Sequence, residues 1–181
     1  MVKFSMILAV DEKNGIGVNG TLPWRIKADM DFFQKTTVIT QNPDKINAVI
    51  MGRKTWDSIP SKYKPLPGRL NFVLTRNENS NSSDAIFGNS LDEIFSIISL
   101  NPSIEKVFII GGSYLYNEVL DDPRLEDIYL TEIIGDFNCD TFFQGIPDSF
   151  FLRKESPEYT ENNIRFHFRI YSKNKVQKKQ L

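Results

Sequence analysis

Residues 4–33, FSMILAVDEKNGIGVNGTLPWRIKADMDFF, place a strand, a glycine-rich loop and a helix in succession. Phe4 to Val10 is a continuous apolar run, the pattern of a strand buried on both faces in a parallel sheet. Asp11-Glu12-Lys13-Asn14-Gly15 ends it with turn-forming residues. The loop then carries Gly15, Gly17 and Gly20, bends at Leu22-Pro23-Trp24 and leads into a helix predicted to start near Arg25. At about 100° per residue, Ile26, Met30 and Phe33 share one apolar face, Asp29 lies on its flank and Asp31 points to water. Two readings of Asp29 stand. It is a helix-start acid favoured by the dipole, or a carboxylate carried inward, where a lone acid is costly unless something binds it. The glycine loop and the Pro-Trp lead-in are unusual for a surface helix and favour the second.

Further along, Asn47 to Met51 is a second apolar strand running into Gly52-Arg53-Lys54-Thr55-Trp56. A strand, a glycine, two cations and a helix start suit a phosphate, although the same residues also fit a basic turn in water. Pro65-Leu66-Pro67-Gly68-Arg69 reads as a rigid turn delivering one arginine, which can grip a carboxylate bidentately. Leu70 to Leu74 is a third strand ending in Thr75-Arg76, and Asn77 to Asp84 reads as a mobile surface loop. Ala85 to Gly88 is a short strand, and Ser90 with Glu93 forms a capping box opening a helix to about Ser99. Lys106 to Ile110 is another buried strand, followed by Gly111-Gly112-Ser113 and a helix over Tyr114 to Leu120. Glycines there let backbone approach a phosphate, without forming a GxGxxG fingerprint. Asp127 to Ile133 is a strand containing Thr131, and Asp136 to Asp140 is loop-like. Ile164 to Tyr171 alternates apolar and polar residues, as in a half-exposed antiparallel strand near an edge, with His167 on its polar face.

Strands alternate with helices for most of the length and then follow one another. The expected fold is α/β, a single domain over residues 1–172 with a mixed, mainly parallel central sheet, helices on both faces, an antiparallel C-terminal edge strand and a charged tail over 173–181. The 181 residues suffice for one sizeable core, and 14 phenylalanines point to a bulky one. A net charge of −1 gives no case for nucleic-acid binding. Cys139 is the single cysteine, so no internal disulfide forms, which fits a reducing compartment. No apolar run reaches the roughly 20 residues of a membrane span, and no signal-peptide layout is evident. The expectation is a soluble, cytoplasmic protein with no bound metal.

Nine ordered motifs resemble the dihydrofolate reductase family: ILAVD (Ile7 to Asp11), GIGVNGTLPW (Gly15 to Trp24), Asp29 with Phe33, VIMGRKTWDSIP (Val49 to Pro60), LPGR (Leu66 to Arg69), VLTR (Val73 to Arg76), IIGGSYLY (Ile109 to Tyr116), LTEI (Leu130 to Ile133) and DTFF (Asp140 to Phe143). The resemblance spans nearly the whole chain. It implies reduction of 7,8-dihydrofolate to tetrahydrofolate with NADPH, in support of one-carbon metabolism and thymidylate synthesis. It makes Asp29 the pterin-binding carboxylate, with Leu22 on the loop over nicotinamide and Trp24 ordering active-site water. Thr131 would support Asp29. Ile7, Leu8, Ala9, Met30, Phe33 and Gln34 would contact substrate. So would Ile59, Leu66, Ile110 and Tyr116, with Arg69 clamping the glutamate α-carboxylate.

For the cofactor, the resemblance implies Ala9, Ile16, Gly17, Asn19, Gly20 and Thr21 from the first strand and loop. It adds Gly52, Arg53, Lys54 and Thr55, then Leu74, Thr75, Arg76 and Asn89. The remaining contacts would be Ile110, Gly111, Gly112, Ser113, Tyr114, Leu115 and Tyr116, with a cis Gly-Gly peptide. Hydride would pass from nicotinamide C4 to pterin C6, with water protonating N5. Met30, where an aromatic residue is frequent, and Tyr63, where some members have an amide, depart from the pattern. The rival readings are the riboflavin-pathway pyrimidine reductase, which shares this fold, and a nucleotide-binding module without turnover. The LPW turn, Asp29 and LPGR favour folate. The expected state is a monomer, or a piece excised from a fusion with thymidylate synthase.

Overall fold

The computed structural model describes residues 1–77 and 83–174. The chain runs β1 (Phe4–Val10), β2 (Gly15–Gly17), α1 (Lys27–Val38), β3 (Ile46–Gly52), α2 (Arg53–Ser58), a 3-10 turn (Ser61–Tyr63), β4 (Arg69–Leu74), β5 (Ile86–Gly88) and α3 (Leu91–Ser99). It continues through β6 (Ile104–Ile109), α4 (Ser113–Glu118), β7 (Leu125–Ile134), β8 (Thr141–Phe142), β9 (Phe150–Glu155), β10 (Tyr159–Glu161) and β11 (Ile164–Lys173). Most of the loop expected over residues 77–84, and the tail beyond Asn174, lie outside the described residues.

The large sheet has the strand order β10-β11-β7-β1-β6-β3-β4-β5, with β9 also paired to β11. From β7 to β5 every pairing is parallel. β11 runs antiparallel to β7, so the C-terminal end of the sheet is antiparallel as expected. Beyond β11 the ladder continues through β10 at Ile164–Phe166 and β9 at Arg169–Lys173, two strands that sequence reading did not identify. Both are short and largely exposed on both faces, so neither carries the alternation that marks a half-buried strand.

β1 shows why the central strands read as unbroken apolar runs. Phe4, Met6, Leu8 and Val10 enter one core with Ile94, Phe95 and Ile98 of α3 and Leu115 of α4. Ile7 enters the opposite core with Val49, Met51, Trp56 and Phe108, against which Phe32 and Phe33 of α1 pack. Each face is covered by helices, so successive residues are all apolar. The buried phenylalanines Phe4, Phe72, Phe95, Phe108, Phe143 and Phe150 fill these cores, and Phe166 packs in a third cluster with Trp24, Ile26 and Ile133.

Helix boundaries moved slightly. α1 begins at Lys27 rather than near Arg25, because Ile26 is still extended at φ −123°. Met30, expected on a buried apolar face with Ile26 and Phe33, is 52% exposed. The flank of α1 that carries Met30 borders a cleft, not packed core. α4 begins at Ser113 and ends at Glu118, earlier than its apolar pattern suggested. α3 starts as its sequence demands: Ser90 Oγ accepts the Glu93 N–H at 3.2 Å, while the Glu93 carboxylate accepts the Asn89 N–H at 2.7 Å.

The glycine loop is more ordered than its composition suggested. β2 pairs antiparallel with β8, and Val18 bridges Thr21. Buried Asp11 anchors its root, accepting the N–H groups of Lys13 and Gly15 on Oδ1 and that of Phe137 on Oδ2. At Gly15 a Cβ would stand 2.4 Å from the Cys139 Cβ, so the close approach requires glycine there. Cys139 is a half-buried free thiol acting as the packing partner of that glycine.

Candidate active site

The parallel strands β1, β3, β4 and β6 end along one side of the sheet, where α/β folds bind ligands. A cleft of about 2230 Å³ opens there. At one end, α1 brings Asp29 to the cleft with 8% of its surface exposed. β7 lies beside β1 with Thr131 opposite Ala9, and the Thr131 hydroxyl donates to Asp29 Oδ1 at 2.6 Å. Burial pushes the Asp29 carboxyl up from the usual carboxylate value of 3.8, and the Thr131 hydrogen bond only partly opposes this. Tyr116 donates its hydroxyl to the Ile7 carbonyl at 2.8 Å, and its own ionisation is pushed up by burial and by the Asp29 charge. Ile7, Leu8, Ala9, Phe33 and Ile110 form the apolar walls, with Leu22 and Met30 half-exposed at the mouth.

Arg69 stands further along the same cleft, 7% exposed. Its Nη1 donates to Thr37 Oγ1 at 2.8 Å and its Nε to the Pro67 carbonyl at 3.0 Å, and its guanidinium lies 5.6 Å from the centre of the Phe33 ring. Thr37 is fully buried on the last turn of α1 and donates its hydroxyl to the Phe33 carbonyl. Asn47 holds that helix end by donating to the Thr37 and Ile39 carbonyls. Asn71 closes the Leu66–Arg69 turn by donating to the carbonyls of both residues. Among the described residues no carboxylate pairs with Arg69. Burial pushes its pKa below the usual guanidinium value, and a buried arginine with spare donors suits an anionic ligand. Gln34, Ile59 and Leu66 line this stretch, together with Tyr63, Pro60 and Pro67.

The other end is built from turns. The Gly111–Gly112 peptide is cis, and Gly111 has φ +131°. A Cβ at Gly112 would lie 3.1 Å from Thr55 Oγ1, and one at Gly111 3.4 Å from both Thr55 Oγ1 and the Tyr116 hydroxyl. The Gly52 N–H donates to the Gly111 carbonyl at 2.8 Å, joining the ends of β3 and β6. Arg53, Lys54, Thr55, Thr75 and Arg76 surround this end, Arg53 being paired with Asp57 at 2.9 Å. Leu74, Asn89, Ser113, Tyr114 and Leu115 complete it. Ile16, Gly17, Gly20 and Thr21 form the rim opposite.

Three expected site residues stand outside the cleft lining. Thr131 acts from behind Asp29. Asn19 has its backbone N–H held by Asp140 at 2.8 Å. Trp24 is 4% exposed against the edge of the Phe137 ring, and its indole N–H has no partner among the described residues. It lines a second cavity of about 360 Å³ that also reaches Asp29, Leu22 and Met30. Sequence reasoning gave no site role to Thr141 and Phe142, although DTFF was noted, nor to Ser90, Asp92, Asp122 and Arg124 on the far lip. The fold brings Thr141 and Phe142 to the cleft on β8, Ser90 and Asp92 at the start of α3, and Asp122 and Arg124 on the turn before β7. Among the described residues no group of three His, Cys, Asp or Glu could hold a metal. Nor, among the described residues, is any helix long and apolar enough to cross a membrane.

The dihydrofolate reductase family model matches residues 3–173. Dihydrofolate reductase of Drosophila melanogaster is 41% identical over 182 residues, covering 96% of this chain and 99% of that protein. That of Heliothis virescens is 44% identical over 181 residues, covering 95% and 98%. The bifunctional dihydrofolate reductase-thymidylate synthase of Glycine max is 40% identical over 179 residues, 93% of this chain but 33% of that protein. With matches of this extent and a cleft that gathers the expected acid, arginine and glycine turn, the chain belongs to the dihydrofolate reductase family of oxidoreductases.

Proposed function

We propose that this enzyme reduces 7,8-dihydrofolate to 5,6,7,8-tetrahydrofolate with NADPH. The observation that carries the reading is the pair of buried groups of opposite charge type, Asp29 and Arg69, lining one cleft, neither with an ion partner among the described residues. Dihydrofolate offers a complement to each: an amino-pyrimidine edge with N–H donors, and a glutamate carboxylate.

Asp29 accepts hydrogen bonds from the pterin amino group and the adjacent ring nitrogen, with Thr131 holding its other side. Arg69 takes the α-carboxylate, pre-oriented by Thr37 and Pro67. Phe33, Ile7 and Ile110 exclude water from the ring faces, which strengthens the polar contacts. When bound, NADPH would supply the hydride for pterin C6. The tight packing at Gly111 and Gly112, the exposed cations Lys54 and Arg76, and the apolar walls between them and Asp29 fit a dinucleotide bearing an extra phosphate. Pterin N5 must gain a proton, and among the described residues no second acid lines the cleft beside Asp29. Asp29 therefore polarises the ring while water delivers the proton, with the indole N–H of Trp24 as a donor able to order water near it.

The test is NADPH oxidation with dihydrofolate by the natural chain and by Asp29→Asn. Turnover that collapses in the variant while NADPH binding persists supports the reading. Full activity in the variant removes Asp29 from its role, and NADH used as well as NADPH removes Lys54 and Arg76 from theirs.

A further inference from the structure

The first turn of α1 lacks a cap of its own. Its N-cap residue, Ile26, is 3% exposed and has no side chain able to accept a hydrogen bond. The first N–H groups of a helix have no partner within it and need one from elsewhere. Here the partner comes from the other end of the chain. Glu161 Oε1 accepts the Lys27 N–H at 2.5 Å and Oε2 accepts the Ala28 N–H at 3.0 Å. Asn162 adds a third tie, its Nδ2 donating to the Arg25 carbonyl at 3.1 Å.

Glu161 is placed by a stiff element. Asn162 and Asn163 have φ of 53° and 62° and connect β10 directly to β11, the two-residue hairpin geometry with both central residues left-handed. β11 is laddered to β7 with Phe168 opposite Thr131. One end of the sheet thus grips the same acid twice. Thr131 holds the Asp29 side chain, and Glu161 holds the backbone of the two residues before it.

We propose that Glu161 is a positioning residue for Asp29, capping α1 from the sheet edge and fixing the helical turn from which the carboxylate meets the substrate. The proposal rests on Asp29 being the pterin-binding group. The cap bonds two backbone N–H groups, so it differs from the nearby solvent-exposed pair of Lys27 and Asp31. Without it the first turn frays one residue ahead of Asp29, and small displacements of a binding group carry large rate effects. The cap bonds Lys27 and Ala28 of α1, whereas the cofactor end of the cleft is built on β3, β4 and β6.

The test compares Glu161→Ala, Glu161→Gln and the exposed-neighbour control Thr160→Ala with the natural chain, with Asp29→Asn in parallel. Glu161→Ala is expected to lower kcat/KM for dihydrofolate roughly tenfold or more, with the Kd for NADPH held within about twofold. Glu161→Gln keeps one acceptor oxygen and should recover part of the loss, and Thr160→Ala should change nothing. An unchanged kcat/KM in Glu161→Ala alongside a collapse in Asp29→Asn overturns this inference and leaves the reading of the site intact. Full activity in Asp29→Asn overturns that reading, and this inference with it. Equal losses for dihydrofolate and NADPH, or no recovery with glutamine, show a general structural role and also overturn it. Should Glu161→Ala not fold, Glu161→Gln decides alone: a loss confined to dihydrofolate supports the proposal, and an even loss or none overturns it.

Discussion

At the Asp29 end of the cleft the charges are buried and held by neutral hydroxyls; at the Gly111 end they stand in water beside glycine backbone. Asp29 leans on Thr131, and Arg69 on Thr37. Neither has an opposite charge of its own among the described residues. Arg53, Lys54 and Arg76 are exposed, and the nearest backbone is packed too tightly for a Cβ to fit freely. The difference teaches where specificity and where general attraction reside. Buried charges discriminate strongly because an unmatched ligand leaves them unpaired. Exposed cations attract phosphate over a longer range and are screened by salt.

The largest expected effect is that of Asp29→Asn. We expect kcat/KM for dihydrofolate to fall by about a hundredfold or more, with NADPH binding unchanged, because one partner of a charge-assisted contact is removed at the reacting ring. Comparing steady-state rates with a fluorescence titration of NADPH checks this. Equal damage to both ligands would break the division between the two ends.

Arg69→Lys should raise the KM for dihydrofolate about tenfold to a hundredfold with little change in kcat, since lysine cannot reproduce a bidentate grip. A matching fall in kcat would place Arg69 nearer the chemistry than its position in the cleft suggests. Thr131→Val should lower kcat/KM for dihydrofolate by about tenfold. Losing that hydrogen bond removes the one influence that holds the Asp29 pKa down, so Asp29 then ionises at still higher pH. The limb of the pH profile governed by Asp29 should shift to higher pH, and an unshifted limb would detach Thr131 from it.

A stability measurement sharpens the same point. The folded-state pKa of Asp29 is raised, so its stabilising contribution is fully present below the ordinary carboxylate value of 3.8 and is lost as pH rises through the folded value. Asp29→Asn should therefore melt at a higher temperature than the natural chain at neutral pH. The gap should narrow as pH falls toward 4, which thermal unfolding at two pH values will show. The smallest effect is ionic: raising salt should weaken NADPH binding a few-fold and dihydrofolate binding less, since only the exposed cations are well screened.

Much of this protein was legible before its structure. Unbroken apolar runs such as Phe4–Val10 and Ala48–Met51 identified strands covered on both faces, and Ser90 marked the start of α3. The order of motifs marked the acid, the arginine and the glycine turn. These are local signals, because burial period, caps and turn chemistry are written within a few residues of where they act. What local signals did not carry is who holds those groups; the support of Asp29 by Thr131 was legible only through the family resemblance, and the partners of Arg69 and of the α1 start were not legible at all. Thr131 is 102 residues from Asp29, Thr37 is 32 from Arg69, and Glu161 is 133 from Ala28. Even the need for glycine at position 15 is set by Cys139, across the β2–β8 pairing. Thr131 and Glu161 reach α1 because β7 lies beside β1 and β11 beside β7, and Arg69 meets Thr37 because β4 pairs with β3, where Asn47, opposite Arg69, holds the end of α1. Strand order is decided by the packing of the whole sheet rather than by any stretch of chain, and so the environment of Asp29 was settled only in three dimensions.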